Sequence, residues 1–530
     1  MKLALRSRSV LVSSLLACVP MALACMDGAP NPGAVESGGS GTASSDRCVA
    51  LTERELIDFR IVASEYVAAV DDVPSHCRVA GVIETEVNFE LLLPDAWNGR
   101  FLMGGGGGYV GSIQNQAMTP TYGAVGGTAL ERGYVTAGTD TGHVGSGVDA
   151  SWALDRPDRQ ENWGHRAVHL TAEASKSVIR HYYDASPDYS YFAGCSRGGG
   201  QGMMESQRYP DDFDGIVSGA PAYHWTAFAA GMVQTQQAVY PAGEATPPII
   251  TSDTLQLLAT SIDTACDLDD GVDDDILADP RSCGFRPDDL PRCHGDAGAD
   301  CVTEAQLAAI NAVYDGPTAD GEPLFLGFPF GGENEAGGWD PWVVNADSSG
   351  ERSVPSLHHA FGVELYKQFV FGDPEWDFTD YDFSSWREDT AEVAEILDAT
   401  DTDLGAFRDT GGKIIYWTGW SDLALTPLGT IDYYEHLRAG DARADEYARL
   451  YMLPGVLHCG GGPGADRVDW IEAIRIWVEE DIPPGRLVAR NLESDAPIRS
   501  RPVCPYPQTA TYSGEGDEGI ESSFVCVVPQ

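Results

Sequence analysis

The stretch Gly194-Cys195-Ser196-Arg197-Gly198 constrains this chain more than any other. It follows an apolar run, Tyr189 to Gly194, and precedes a glycine-rich segment, so it fits the G-x-S-x-G turn that lifts a nucleophilic serine between a strand and a helix. A serine hydroxyl attacks weakly unless an imidazole takes its proton and a carboxylate orients that imidazole. In chains built around such a turn the three groups come in the order Ser, Asp or Glu, His, each after a strand. Asp422 follows the strand-like run Lys413 to Gly419, and His458 follows Ala448 to Pro454. Ser196, Asp422 and His458 are therefore the expected catalytic triad.

Cys195 directly precedes the serine and Cys459 directly follows the histidine. If Ser196 and His458 meet, the two thiols come near bridging range, and a disulfide would fix the histidine loop to the nucleophile turn. Closing so long a loop is worth on the order of 4 kcal/mol in the chain-entropy picture. A tetrahedral intermediate also needs donors for its oxyanion. The Arg197 amide, next after the nucleophile, is one, and the run "MGGGGGYVG", Met103 to Gly111, stands where the second belongs. The Arg197 side chain is expected to point away from the acyl carbon, the alternative being contact with an acidic substrate group. Glycines 198, 199, 200 and 202 would let the helix lie close to the sheet.

Apolar strand-like runs alternate with helical ones from about Ala80 to Gly219. Phe89 to Pro94, Arg100 to Gly104, Tyr134 to Asp140 and Tyr189 to Gly194 are expected strands, and His165 to Tyr182 an expected helix. The pattern resumes after about Leu404, with strands Lys413 to Gly419 and Ala448 to Gly455 and helices Leu428 to Ala439 and Val468 to Glu480. Such alternation implies a mostly parallel sheet covered on both faces. Together with the serine turn, this predicts an α/β-hydrolase whose two parts, 47–224 and 404–530, flank a large inserted lid, 225–403, rich in Asp, Gly and Pro.

The chain begins with Lys2, Arg6 and Arg8 and an apolar run from Val10 to Ala24, the layout of an export signal over 1–25. Leu16-Ala17-Cys18 and Leu23-Ala24-Cys25 also resemble bacterial lipoprotein boxes. Free secretion and a lipid anchor at Cys18 or Cys25 both stay open, with the Gly/Ser/Pro-rich 26–46 as a tether. No later run is long and apolar enough to span a membrane. Ten further cysteines, an even number in an exported chain, suggest five disulfides. With 81 acidic against 33 basic residues the net charge is −48, which would repel nucleic acids.

The stretch "CDLDDGVDDDIL", Cys266 to Leu277, concentrates hard oxygen ligands of the kind calcium takes. It is not an EF-hand loop, and a solvated acidic turn is the competing reading.

These motifs resemble the tannase and feruloyl esterase family, which also contains hydrolases of terephthalate monoesters. The resemblance rests on "WNGRFLMGGGGG", "YFAGCSRGGGQGMMESQRYPDDFDGIVSGAP", "CDLDDGVDDDI", "TGWSDLALTPLGTIDYY" and "LPGVLHCGGGPGADR", and runs from about Cys48 to Cys526. It implies oxyanion donors at Gly108 and Arg197. It implies a structural Ca2+ held in the lid by Asp267, Asp270, the Val272 carbonyl, Asp274 and the Ile276 carbonyl. It implies the pairings Cys48 with Cys77, Cys266 with Cys283, Cys293 with Cys301, and Cys504 with Cys526, beside Cys195 with Cys459. The match weakens from Trp339 to Trp386, where Phe361, Phe369 and Trp376 are read as core packing rather than as an aromatic pocket. The expected function is an exported serine esterase acting through an acyl-enzyme on small esters of aromatic, phenolic acids, such as feruloyl or galloyl esters, with a terephthalate monoester hydrolase and a calcium-stabilised surface binding protein as rivals.

Overall fold

The alternating runs form one sheet because each strand presents successive side chains to opposite faces. The structure is a computed structural model that describes residues 39–530 other than 55, 120–126, 296, 346–355, 494–495 and 530. The expected export signal, both candidate lipidation cysteines and most of the tether lie outside the described residues. Nine strands pair in the order β1-β2-β3-β5-β4-β6-β7-β8-β9. They are β1 (Phe59–Val67), β2 (His76–Ile83), β3 (Val87–Pro94), β4 (Arg100–Gly104), β5 (Val135–Thr139), β6 (Tyr189–Cys195), β7 (Gly215–Gly219), β8 (Lys413–Gly419) and β9 (Ala448–Leu453). β1, β2, β3 and β5 pair antiparallel in turn, and every pairing from β5 through β4 to β9 is parallel.

The two faces are legible in the burial. Phe101, Phe192, Ile216, Ile414 and Leu450 enter one apolar cluster, while their chain neighbours Leu102, Tyr191, Val217, Ile415 and Tyr451 enter another. Helices Ala167–Tyr183 and Arg197–Arg208 cover the sheet, as do Pro427–Gly440 and Trp470–Glu480. This is the expected α/β-hydrolase fold. β1, β2 and β7 were not among the expected strands. β1 is an edge with mostly exposed or half-exposed residues, so its pattern does not alternate cleanly, and the five residues of β7 are too few to show a period.

Among the described residues, the segment from Trp225 to Asp403 gives no strand to the large sheet. Helices Trp225–Val239, Ser252–Cys266 and Glu304–Asp315 lie within it, and a third cluster gathers Val239, Leu258, Ile262, Ile310 and Trp339. Two short hairpins, Leu487–Glu493 with Ala496–Val503 and Thr509–Tyr512 with Phe524–Val527, follow the last helix and were not anticipated. All five expected disulfides are present: Cys48–Cys77, Cys195–Cys459, Cys266–Cys283, Cys293–Cys301 and Cys504–Cys526.

Because β6 to β9 are parallel neighbours, the loops after β6, β8 and β9 emerge on one edge of the sheet, where α/β folds bind ligands.

Candidate active site

Ser196 sits between β6 and the helix Arg197–Arg208 with φ 65° and ψ −125°, a strained conformation for a residue with a side chain. Its amide donates to the Gly219 carbonyl (3.0 Å), and its carbonyl accepts from Gly200 (3.0 Å) and Ala222 (2.9 Å), so the turn is fixed on both sides. The glycines behind it are needed for close approach: a Cβ at Gly199 would stand 2.1 Å from the Gly219 carbonyl oxygen.

Asp422 follows β8 and is completely buried. One carboxylate oxygen accepts from the amides of Ala424 (2.9 Å) and Leu425 (3.0 Å), and the other accepts a hydrogen bond from His458 Nδ1–H at 2.8 Å. That bond fixes the tautomer and leaves Nε2 as the proton acceptor of the ring. The next residue, Cys459, is bonded to Cys195 with 5.9 Å between the Cα atoms. Behind this loop His358 is fully buried and donates from Nε2 to the Leu423 carbonyl (3.0 Å); burial pushes its pKa down to about 4, keeping it neutral.

Ser196 and His458 line one narrow cavity with Gly108, Ala222, Ala424 and Leu425. Trp225, Phe228, Met232, Trp342 and Phe361 complete its wall. Gly108 has φ +55°, and a Cβ there would meet the Gly147 carbonyl oxygen at 2.2 Å. No acceptor among the described residues takes the amide proton of Gly108 or of Arg197. The Arg197 side chain is buried and points away from the cavity, donating to the Trp163 and Gly164 carbonyls. Burial lowers its pKa to about 9.

Phe361 stands in the cavity wall, which corrects its reading as core alone. Phe369 packs one layer behind, against Tyr109, Trp152 and Trp163. Trp376 stacks on Tyr366 away from the site. Sequence reasoning missed Trp225, Phe228 and Met232, whose spacing of three and four along one helix puts them on one face. It also missed Trp342, whose ring meets that of His458 edge-on at 5.1 Å.

The acidic loop begins with a tight turn, Asp267–Asp270, closed by Gly271 at φ +90°. Asp267 accepts from the amides of Ile276 (3.1 Å) and Asp274 (3.4 Å), and Asp270 from that of Val272 (2.9 Å). Asp274 faces Arg501 (2.7 Å) and Arg499 (3.2 Å) through one oxygen, and its other oxygen is buried without a partner. Burial, with the neighbouring carboxylates, pushes the Asp270 carboxyl up to about 6. The grouping that closes within 4.8 Å among the described residues lies elsewhere, at His169, Glu205 and Asp212. There Asp212 accepts from His169 Nδ1 (2.6 Å) and lies 3.8 Å from the Lys176 ammonium. Burial holds the neighbouring Glu205 carboxyl well above the usual carboxylate range, with the Asp212 charge adding to the effect.

A strand-turn-helix serine, a histidine held by a buried carboxylate and a cavity at the carboxyl edge of a parallel sheet define an α/β-hydrolase. The family profile described as tannase and feruloyl esterase matches residues 72–527. An uncharacterised esterase of Xanthomonas campestris is 34% identical over 508 residues, covering 86% of this chain and 85% of that protein. Mono(2-hydroxyethyl) terephthalate hydrolase of Piscinibacter sakaiensis is 34% identical over 535 residues, covering 88% and 87%. The crystal structure of an esterase from Aspergillus oryzae superposes with a TM-score of 0.80 at 25% identity, covering 91% of this chain and 100% of that one. The chain belongs to the tannase and feruloyl esterase family and is a carboxylic ester hydrolase.

Proposed function

We propose that this chain is an exported serine esterase that cleaves esters of apolar, monoaromatic acids of the hydroxycinnamoyl or benzoyl type through an acyl-enzyme. The observation that carries the reading is the 2.8 Å bond from His458 to the buried Asp422, with Ser196 and His458 in the wall of one cavity. Ser196 attacks the ester carbonyl while His458 takes its proton and passes it to the leaving alcohol; Asp422 stabilises the imidazolium. The free amides of Gly108 and Arg197 receive the oxyanion, and water then releases the acid.

The wall supports the acyl preference. Trp225, Phe228, Met232, Trp342 and Phe361 offer an aromatic ring flat apolar surfaces. Among the described residues no Arg or Lys lines the cavity, so the distal carboxylate of a terephthalate monoester would be desolvated without a counter-charge. A ring carrying three hydroxyls would leave them short of partners there, which disfavours galloyl esters. Five disulfides support an oxidising compartment.

Calcium fits the acidic loop, since the eight residues Asp267 to Asp274 carry five carboxylates and one buried oxygen of Asp274 has no partner. Asp267, Asp270 and Asp274, with the Val272 and Ile276 carbonyls, would hold the ion, which would bind the loop together and take no part in the reaction.

The test is kcat/KM for methyl ferulate, methyl p-coumarate, methyl gallate and a terephthalate monoester, with Ser196→Ala as control. Ferulate and coumarate should lead, and the variant should lose at least about 10⁴ of the rate while remaining folded. A terephthalate monoester in the lead would overturn the acyl assignment, and an active Ser196→Ala would overturn the mechanism.

A further inference from the structure

The Arg197 guanidinium is an uncommon group to find directly beneath a nucleophile turn. It is 1% exposed, and among the described residues no carboxylate pairs with it. Its partners are backbone carbonyls. The segment Asn162–Arg166 is wound as a π-helix, and Arg197 Nη2 donates there to the carbonyl oxygens of Trp163 and, at 2.6 Å, of Gly164. Its carbon lies 4.4 Å from the centre of the Trp163 ring and 6.0 Å from that of Trp225. A buried cation is costly unless hydrogen bonds and aromatic faces compensate it, so these contacts fix the side chain in one place.

The same contacts reach both oxyanion donors. Arg197 opens its helix, so its amide is among the first four that have no partner within the helix, and the side chain anchors that residue. Trp163, on which the guanidinium rests, packs against Tyr109 with 5.4 Å between ring centres, and Tyr109 follows Gly108. Trp225 also packs on Tyr109, at 6.0 Å, and forms part of the cavity wall.

We propose that the Arg197 side chain is a positioning residue for the esterase reaction: clamped on Trp163, it sets the separation of the Gly108 and Arg197 amides that receive the oxyanion. The inference rests on the serine-esterase reading above. It concerns the side chain, whereas the oxyanion contact belongs to the backbone amide. Lysine is no substitute, because a point charge on a flexible stem cannot lie flat on Trp163 while reaching both carbonyls.

The experiment compares Arg197→Met and Arg197→Lys with wild type in the full chain. It measures kcat and KM on methyl ferulate, the inhibition constant of an arylboronic acid, which forms a tetrahedral adduct with an active serine, and the melting temperature. Arg197→Met should lower kcat by about tenfold or more, since small displacements of reacting geometry cost that much. KM should change less than about threefold, and the boronic acid should weaken in step with kcat/KM, as expected for an interaction made in the transition state. Arg197→Lys should fall between Met and wild type. A merely structural role would lower the melting temperature and leave kcat and boronate affinity of the folded enzyme unchanged, which would overturn the proposal. Should Arg197→Met not fold, Arg197→Lys decides: kcat within twofold of wild type overturns it. Ser196→Ala separates the two levels, because an active variant sinks the serine reading itself, whereas an inactive one beside an unaffected Arg197→Met sinks only the positioning role.

Discussion

At the scale of single residues, Trp342 joins the proposed recognition surface to the proposed chemistry. Its ring stands edge-on to His458 at 5.1 Å and stacks with Phe361 at 6.1 Å, so it borders the His458 imidazole and the cavity together. Trp342→Ala should raise KM for aryl-acyl esters by roughly tenfold, the worth of one aromatic contact plus its buried area. Acetyl esters, which do not fill the cavity, should be hydrolysed with nearly unchanged KM. Equal losses on both substrates would mean that Trp342 acts on His458 and not on the acyl group.

At the scale of elements, the helix Arg197–Arg208 carries the proposed oxyanion amide at its start and the buried Glu205 near its end. Glu205 keeps its proton in the folded protein, because burial and the Asp212 charge both oppose ionisation, and Lys176 and His169 face Asp212 from the helix Ala167–Tyr183. In the unfolded chain the carboxyl ionises near its ordinary value, 4.5. Unfolding above that pH therefore releases a proton, so this group makes stability fall as pH rises, by at most about 1.4 kcal/mol per pH unit, until the folded-state pKa is reached. Glu205→Gln, which stays neutral at every pH, should flatten that slope. Urea midpoints measured from about pH 5 to 8 check it, and parallel curves for variant and wild type would show Glu205 to be ionised.

At the scale of the whole molecule, one of the five disulfides joins parts of the chain that are remote in sequence. Cys195–Cys459 spans 264 residues and fastens the histidine loop to the nucleophile turn. Replacing both cysteines by Ala should lower kcat by more than the loss of stability explains, since His458 would keep Asp422 and lose its tether to Ser196. The measurement is kcat well below the melting temperature, where the folded fraction is unchanged. The proposed calcium would act elsewhere in the molecule, on the loop Asp267–Ile276. A chelator should lower the melting temperature by a few degrees and leave low-temperature turnover largely intact, and Asp270→Ala should do the same. Elemental analysis without calcium, with no thermal effect of either treatment, would refute the site.

The sequence alone determined the order Ser196, Asp422, His458, the sheet strands that precede each, and the bridge between Cys195 and Cys459, because these are local signals set by chain order and residue type. Resemblance supplied the other four pairings, which spacing leaves open. What only the tertiary structure decided is the cavity wall. Trp225, Phe228 and Met232 lie on one helix, Trp342 and Phe361 on later turns, and Leu425 beside the Asp422 carboxylate. In sequence each is an ordinary apolar residue, since an apolar side chain satisfies a core and a binding surface equally well. The partners of the Arg197 guanidinium were likewise fixed only by folding, because the carbonyls that hold it belong to a π-turn whose residues have no composition of their own.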